Sequence, residues 1–164
     1  MGKKTTYEKM AERIGTLEEE YTERQREMDE QQKDQEKYRA IFDRNLHCIF
    51  VHDFEGNFLD ANEAFLNLLD YRRQEISSIN FATLIDEDQM PKALAAIEEI
   101  KRNGFVKNFL EFKLKKRDGN YVWVETDSSL IYQNGEAYAI LGVARDITDR
   151  KTTEKSLRQS ETRY

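Results

Sequence analysis

The stretch from residue 104 to 148 constrains the fold most. It holds apolar-rich runs separated by the turn pairs Asp118-Gly119 and Asn134-Gly135. Asp-Gly and Asn-Gly tolerate the positive φ of type I′ turns, whose twist matches that of antiparallel strands. The pattern predicts a three-stranded antiparallel meander joined by two-residue turns. In its middle run Val122, Val124, Thr126, Ser128, Leu130 and Tyr132 share one face, while Tyr121, Trp123 and Ile131 share the other. In its last run Tyr138, Ile140, Gly142 and Ala144 oppose Ala137, Ala139, Leu141 and Val143. A sheet wetted on one side would be polar there, so both faces of this one are expected to be covered.

Ahead of the meander the chain alternates short runs with turns. Cys48 to His52 reads as a strand that stops at the turn 53–57, and Phe58-Leu59-Asp60 as a shorter one. Asp60 with Glu63 forms a possible capping box, and Asn62 is a second possible cap for a helix carrying Ala64, Phe65, Leu68 and Leu69. Short helical turns follow over 76–85. A clearer helix opens at Asp86 or Asp88, tolerates Pro91 in its first turn and ends at Asn103-Gly104. Two strands, several helices and three strands make an α+β domain, with helices gathered over one face of an antiparallel sheet.

Residues 5–42 differ in kind, with no proline and Gly15 as their one glycine. Tyr7, Ile14, Tyr21, Met28, Gln35 and Phe42 recur every seven residues. Met10, Leu17, Arg24, Gln31 and Tyr38 follow each of the first five by three. Glu, Lys, Arg and Gln dominate the rest. This is the heptad of a parallel coiled coil, with Tyr7, Met10, Ile14, Leu17, Tyr21 and Met28 as its best seam and a homodimer as its product. Arg24 and Gln31 weaken the middle. At the other end residues 149–164 read as an exit helix, with Arg150, Leu157 and Tyr164 spaced by seven.

Composition removes several classes of function. A net charge of −6 opposes general nucleic-acid binding, which needs a basic face. The cluster Lys113, Lys115, Lys116 and Arg117 ends a strand and is expected to be solvated. Cys48 is the one cysteine, so there is no internal disulfide, and a reducing, cytoplasmic setting is expected. No apolar run approaches the roughly 20 residues of a membrane span. The opening Met1-Gly2-Lys3-Lys4-Thr5-Thr6 fits the loose myristoylation pattern, without a second anchoring signal.

Taken in order, several motifs resemble one family. They are Ile49-Phe50-Val51-His52-Asp53 with Gly56; Ala61-Asn62-Glu63-Ala64-Phe65; Leu68-Leu69-Asp70-Tyr71; Arg117-Asp118-Gly119 with Trp123-Val124; and Asp146-Ile147-Thr148-Asp149-Arg150-Lys151. The chain over 38–151 resembles a PAS domain, the sensor module of bacterial signalling proteins, with the domain itself placed at 38–148. Asp70 departs from the pattern, which usually has glycine before the tyrosine. The resemblance implies a five-stranded antiparallel sheet whose helices enclose a pocket on the inner face. It implies an outer face covered by a preceding helix or a second subunit. The last strand runs through Ala144-Arg145-Asp146 directly into Thr148 and the exit helix, so Asp146, Ile147 and Thr148 are the expected junction through which a signal leaves toward a downstream domain. The module of a sensor histidine kinase is the expected function. A cyclic-dinucleotide synthase, or a flavin-carrying redox or light sensor, is the alternative.

Catalysis within this chain is not expected. His47 and Cys48 are adjacent and face opposite ways in a strand. His52 would lie about 13 Å from Cys48 along it, too far for a dyad or a metal site. Asp86-Glu87-Asp88 has only the spacing of a helix start, where negative charge is favoured. From alternation and helical period, the expected pocket lining is Phe50, Phe65, Leu69, Phe81, Leu84 and Ile97 from the first part of the domain. Leu110, Phe112, Val124, Thr126, Ile140 and Gly142 come from the meander. A small metabolite, or a pocket filled by its own side chains, is the expected content. Haem-binding members of the family carry a histidine on the long helix, and 88–102 has none. The flavin photosensors carry a cysteine on an earlier helix, and 77–84 has none. A flavin held without a covalent bond, stacked by Trp123 and phenylalanines, stays the cofactor alternative.

Overall fold

The computed structural model describes residues 2–163. Met1 of the myristoylation pattern and Tyr164 of the exit helix lie outside them. The chain divides into two compact units, Met1–Ile41 and Phe42–Tyr164.

The first unit is most of helix α1, Thr6–Arg44. Thr5 opens it with a reciprocal cap. Its Oγ1 accepts from the Glu8 backbone N–H at 3.3 Å, and the Glu8 carboxylate accepts from the Thr5 N–H at 2.8 Å. The expected seam residues Tyr7, Met10, Ile14, Leu17, Tyr21 and Met28 all stand exposed along it, Leu17 least at 47% and Tyr7 most at 86%.

The second unit is a five-stranded antiparallel sheet in the order β2-β1-β5-β4-β3. Its strands are β1 Cys48–His52, β2 Phe58–Ala61, β3 Leu110–Lys115, β4 Tyr121–Gln133 and β5 Glu136–Asp146. Between β2 and β3 run α2 Glu63–Leu69, α3 Phe81–Leu84 and α4 Met90–Asn103, with 3₁₀ turns at Arg73–Ser78 and Glu87–Gln89. Helix α5, Thr148–Glu161, follows β5 at once. The main core lies between the helices and the inner face of the sheet, where Phe65, Leu69 and Leu84 meet Phe112, Leu114 and Val124.

The two meander turns differ. Asn134 and Gly135 have φ of 52° and 82°, as a type I′ hairpin between Gln133 and Glu136 requires. The first turn is not a two-residue one. The strands part at Lys115 and Tyr121, and Gly119 alone has positive φ (89°). The Asp118 carboxylate accepts from the Asn120 N–H at 2.9 Å instead, so the side chain builds the loop that the backbone was expected to build. A bulge at Ile131/Tyr132 also breaks the alternation and leaves Tyr138 exposed. The outer face is covered in part: Ala139 and Val51 are buried and Trp123 is half-buried, while Val143 is open.

Asn62 caps α2, its Oδ1 accepting from the Phe65 N–H at 3.1 Å. Fully buried, it also accepts from the Ile49 N–H and donates to the carbonyls of Phe42 and His47. Helix α2 ends in the left-handed region at Asp70, φ 60°. The edge strand β3 is closed by Gln89, whose side-chain amide pairs with both the N–H and the carbonyl of Lys113 at 2.7 and 2.8 Å.

Candidate functional site

The inner face of the sheet is unevenly filled. Toward one end Phe50, Phe58 and Phe65 pack ring to ring, with centroids 4.9 to 5.6 Å apart. The tip of the Phe50 ring lies against Gly142. A Cβ on that glycine would stand 2.2 Å from the phenylalanine Cζ, so the ring uses the space a side chain would need. Toward the other end a cavity of about 40 Å³ remains between β1, α3, α4, β3 and β4.

Of the residues expected at a pocket, Phe50, Phe81, Ile97, Leu110, Phe112 and Thr126 line this cavity. Phe65, Leu69, Leu84 and Val124 belong to the filled core. Ile140 sits in a smaller cluster with Ile100 and Val106, and Gly142 lies beneath the Phe50 ring. The wall is completed by His52, Gly56, Ala93, Ala96, Ile100 and Ser128. Periodicity carries the signal for most of these. His52 is two residues beyond Phe50 and Ser128 two beyond Thr126 on the same strand faces, and Ala93, Ala96 and Ile100 share the helical stripe of Ile97.

Three side chains give the wall its polarity. The Thr126 hydroxyl donates to the Leu110 carbonyl at 3.2 Å. Ser128 lines the space from β4. His52 is buried, with Nδ1 at 2.7 Å from the Asp53 carbonyl oxygen. Burial holds its pKa below the usual 6.5, against the opposing pull of that carbonyl and of the Asp53 charge. Cys48 lies in the filled core, where burial pushes its thiol up to about 11 with help from Asp146. A thiol so rarely ionised is a poor nucleophile. Among the described residues no group of three or more His, Cys, Asp or Glu is placed to hold a metal ion.

The cavity does not fit a flavin or a haem. Drug-sized ligands occupy pockets of about 300–1,000 Å³, far above the 40 Å³ present. Trp123, expected to stack on an isoalloxazine, faces away from the cavity. It lines a surface groove with α5, and Lys151 Nζ lies 4.9 Å from its ring centroid.

The junction residues form a second site at the exit of the sheet. Ile147, buried, occupies the N-cap position of α5 and donates its N–H to the Trp123 carbonyl at 2.9 Å. Thr148 Oγ1 accepts from the Trp123 N–H at 3.1 Å, and the Asp146 carboxylate accepts from the Thr148 N–H at 2.9 Å. Arg150 and Lys151, one turn into α5, both pair with Glu111 on β3, and Arg150 reaches Glu125 on β4. The Lys151 hydrogen bond, more than any other contact, holds the Glu111 carboxyl below its usual range.

An antiparallel sheet with helices closing a small inner cavity, and a helix tied to the sheet at its exit, defines a small α+β domain. Residues 46–149 match the family model of the PAS domain. The chain belongs to the PAS domain family. It is 26% identical over 127 residues to sporulation kinase E of Bacillus subtilis, covering 77% of this chain and 16% of that protein. It is 21% identical over 124 residues to the sensor histidine kinase TmoS of Ectopseudomonas mendocina, covering 75% and 13%. Among solved structures, a domain of a sensory box sensor histidine kinase/response regulator from Geobacter sulfurreducens superposes with a TM-score of 0.57 at 29% identity, covering 69% of this chain and 94% of that one. The chain thus spans less than a fifth of either curated relative's length. It is homologous to domains of signalling proteins. Among the described residues no helix is long and apolar enough to cross a membrane.

Proposed function

We propose that this chain is the sensory and dimerisation module of a longer bacterial signal-transduction protein of the sensor histidine kinase type. It carries a change at the inner cavity to a downstream domain and does no chemistry itself. The observation that carries this reading is the connection of β5 to α5. No flexible linker separates them, and Trp123, Thr148, Glu111, Arg150 and Lys151 tie the first turn of the helix to the sheet. A shift of β4 or β3 therefore moves the base of the exit helix. Domain boundaries at 5–42, 38–148 and 149–164 go with this reading, and the unpaired thiol of Cys48 supports a reducing, cytoplasmic setting.

The exposed seam of α1 supports a parallel homodimer as the working form. Its apolar side chains have little to bury against within a single polar helix. The test is sedimentation of the full chain beside one that starts at Asp34. The shorter chain is expected to dimerise at least about tenfold more weakly, about 1.4 kcal/mol, with the domain still folded. Equal dimerisation would move the interface to the globular unit, and two monomers would sink the coiled coil. Transmission is tested by disulfide formation between copies carrying Cys48→Ser and Leu157→Cys. Equal rates with the cysteine at every α5 position would mean the exit helices are unpaired.

A further inference from the structure

The cavity wall carries an unused acceptor, and its identity follows from the tautomer of His52. The Asp53 carbonyl oxygen, 2.7 Å from Nδ1, can only accept, so Nδ1 carries the ring proton. Burial keeps the ring neutral, which leaves Nε2 with a bare lone pair. Among the described residues no group hydrogen-bonds to Nε2, and the ring's hydrogen bond is the one at Nδ1. Yet no buried side-chain nitrogen or oxygen of the described residues lacks a partner. Both statements hold only if Nε2 reaches open space, and the cavity is the space that His52 lines.

The ring is held in that pose. It stacks on Phe50 at 5.9 Å and 14° and on Phe81 at 5.9 Å and 28°. The Thr126 hydroxyl spends its proton on the Leu110 carbonyl, so Nε2 and the Ser128 hydroxyl join its remaining lone pairs as the polar groups of a wall otherwise apolar.

We propose that the cavity selects a small neutral molecule that presents an O–H or N–H to Nε2 of His52 and an apolar body to Ile97 and Phe112. This deepens the sensory reading of the same cavity and rests on it. Size follows from the 40 Å³ present. A water needs about 10–15 Å³ on this measure, so the space takes about three non-hydrogen atoms. Neutrality follows because no lining residue offers a charge to replace a lost hydration shell. The donor follows at Nε2, where an acceptor-only molecule would set its lone pair against that of the ring; such a molecule has only the Ser128 hydroxyl to turn to and leaves Nε2 unpaired.

Ethanol and acetonitrile test this directly, being alike in size while only ethanol carries a donor. Nitrogen-15 spectra of the His52 ring in the full chain should show the proton on Nδ1. Ethanol should shift Nε2 saturably and bind about three- to tenfold tighter than acetonitrile, the worth of one net hydrogen bond. His52→Phe should make the two probes equal. Should that variant not fold, Ala96→Leu fills the cavity from α4 and should abolish binding of both while the His52 tautomer stays. A proton on Nε2, equal binding of the two probes to the unaltered chain, or no saturable shift with ethanol would each overturn the proposal. None of these outcomes touches dimerisation or the exit helix, which sedimentation and cross-linking test separately.

Discussion

The two ends of the inner sheet face use the same kinds of residue to opposite ends. Around Phe65 and Leu69 three phenylalanines interlock, and the side chains of Leu84 and Val124 are wholly buried. Around His52 an equally aromatic set leaves a space, because Phe81 is half-buried on a four-residue helix and Ala93 and Ala96 are short. One end is a wall of the fold and the other an opening in it. The contrast teaches that the stability of this domain and its capacity to bind are held by different residues, within one layer of side chains.

The largest effect should come from emptying the filled end. Phe65→Ala is expected to cost about 3–5 kcal/mol, read from urea unfolding. Phe81→Ala should cost less than half as much and enlarge the cavity instead. Equal losses would erase the distinction between the two ends.

Gly142→Ala sharpens the boundary between them. A methyl there meets the Phe50 ring at 2.2 Å, so the ring must leave its place over β5. The expected cost is about 1–3 kcal/mol, and the displaced ring should take up part of the cavity. A crystal structure of the variant would show it, and an unmoved Phe50 with unchanged stability would refute the close contact.

A smaller gain is available at the filled end. Asp70 closes α2 at φ 60°, where a side chain is strained and glycine is not. Its carboxylate also pairs with Lys116 at 3.0 Å, an exposed contact that offsets little. Asp70→Gly should therefore raise stability by up to about 1 kcal/mol. A loss in urea unfolding would mean that the Lys116 pair outweighs the backbone strain.

What the sequence disclosed and what it hid divide along physical lines. The meander, the Asn62 cap, the Pro91 start and the Gly104 stop of α4 are local: each needs one or two residues whose backbone preference decides the matter. The Asp118 loop was hidden because an Asx side chain competed with the backbone for the same N–H. The cavity was half legible. Alternation put Phe50, Thr126 and Leu110 on the inner face, but which inner residues touch empty space depends on helix placement. Period alone does not distinguish Phe65, packed tight, from Phe81, facing the gap. His52 is hidden as a lining residue because its stacking between two phenylalanines is a long-range fact.

The smallest effect expected is the one that tests the open end without emptying it. His52 has a folded pKa lowered below 6.5, so the folded state binds its proton less readily than the unfolded chain does. Its contribution to stability is whole above about 6.5 and is lost as pH falls from there through the folded value. Asp53, Glu111 and Asp118 also have lowered values, but from ordinary ones of 3.8, 4.5 and 3.8, so their losses begin at lower pH. A urea midpoint that drops as pH falls just below 6.5, before any carboxylate titrates, belongs to the imidazole. The other histidine, His47, is exposed. His52→Phe should flatten that part of the profile while leaving the acid limb unchanged. A variant that keeps the full slope between neutral pH and the carboxylate range would show that His52 is hydrated in the folded state, and that the cavity is open to solvent rather than enclosed.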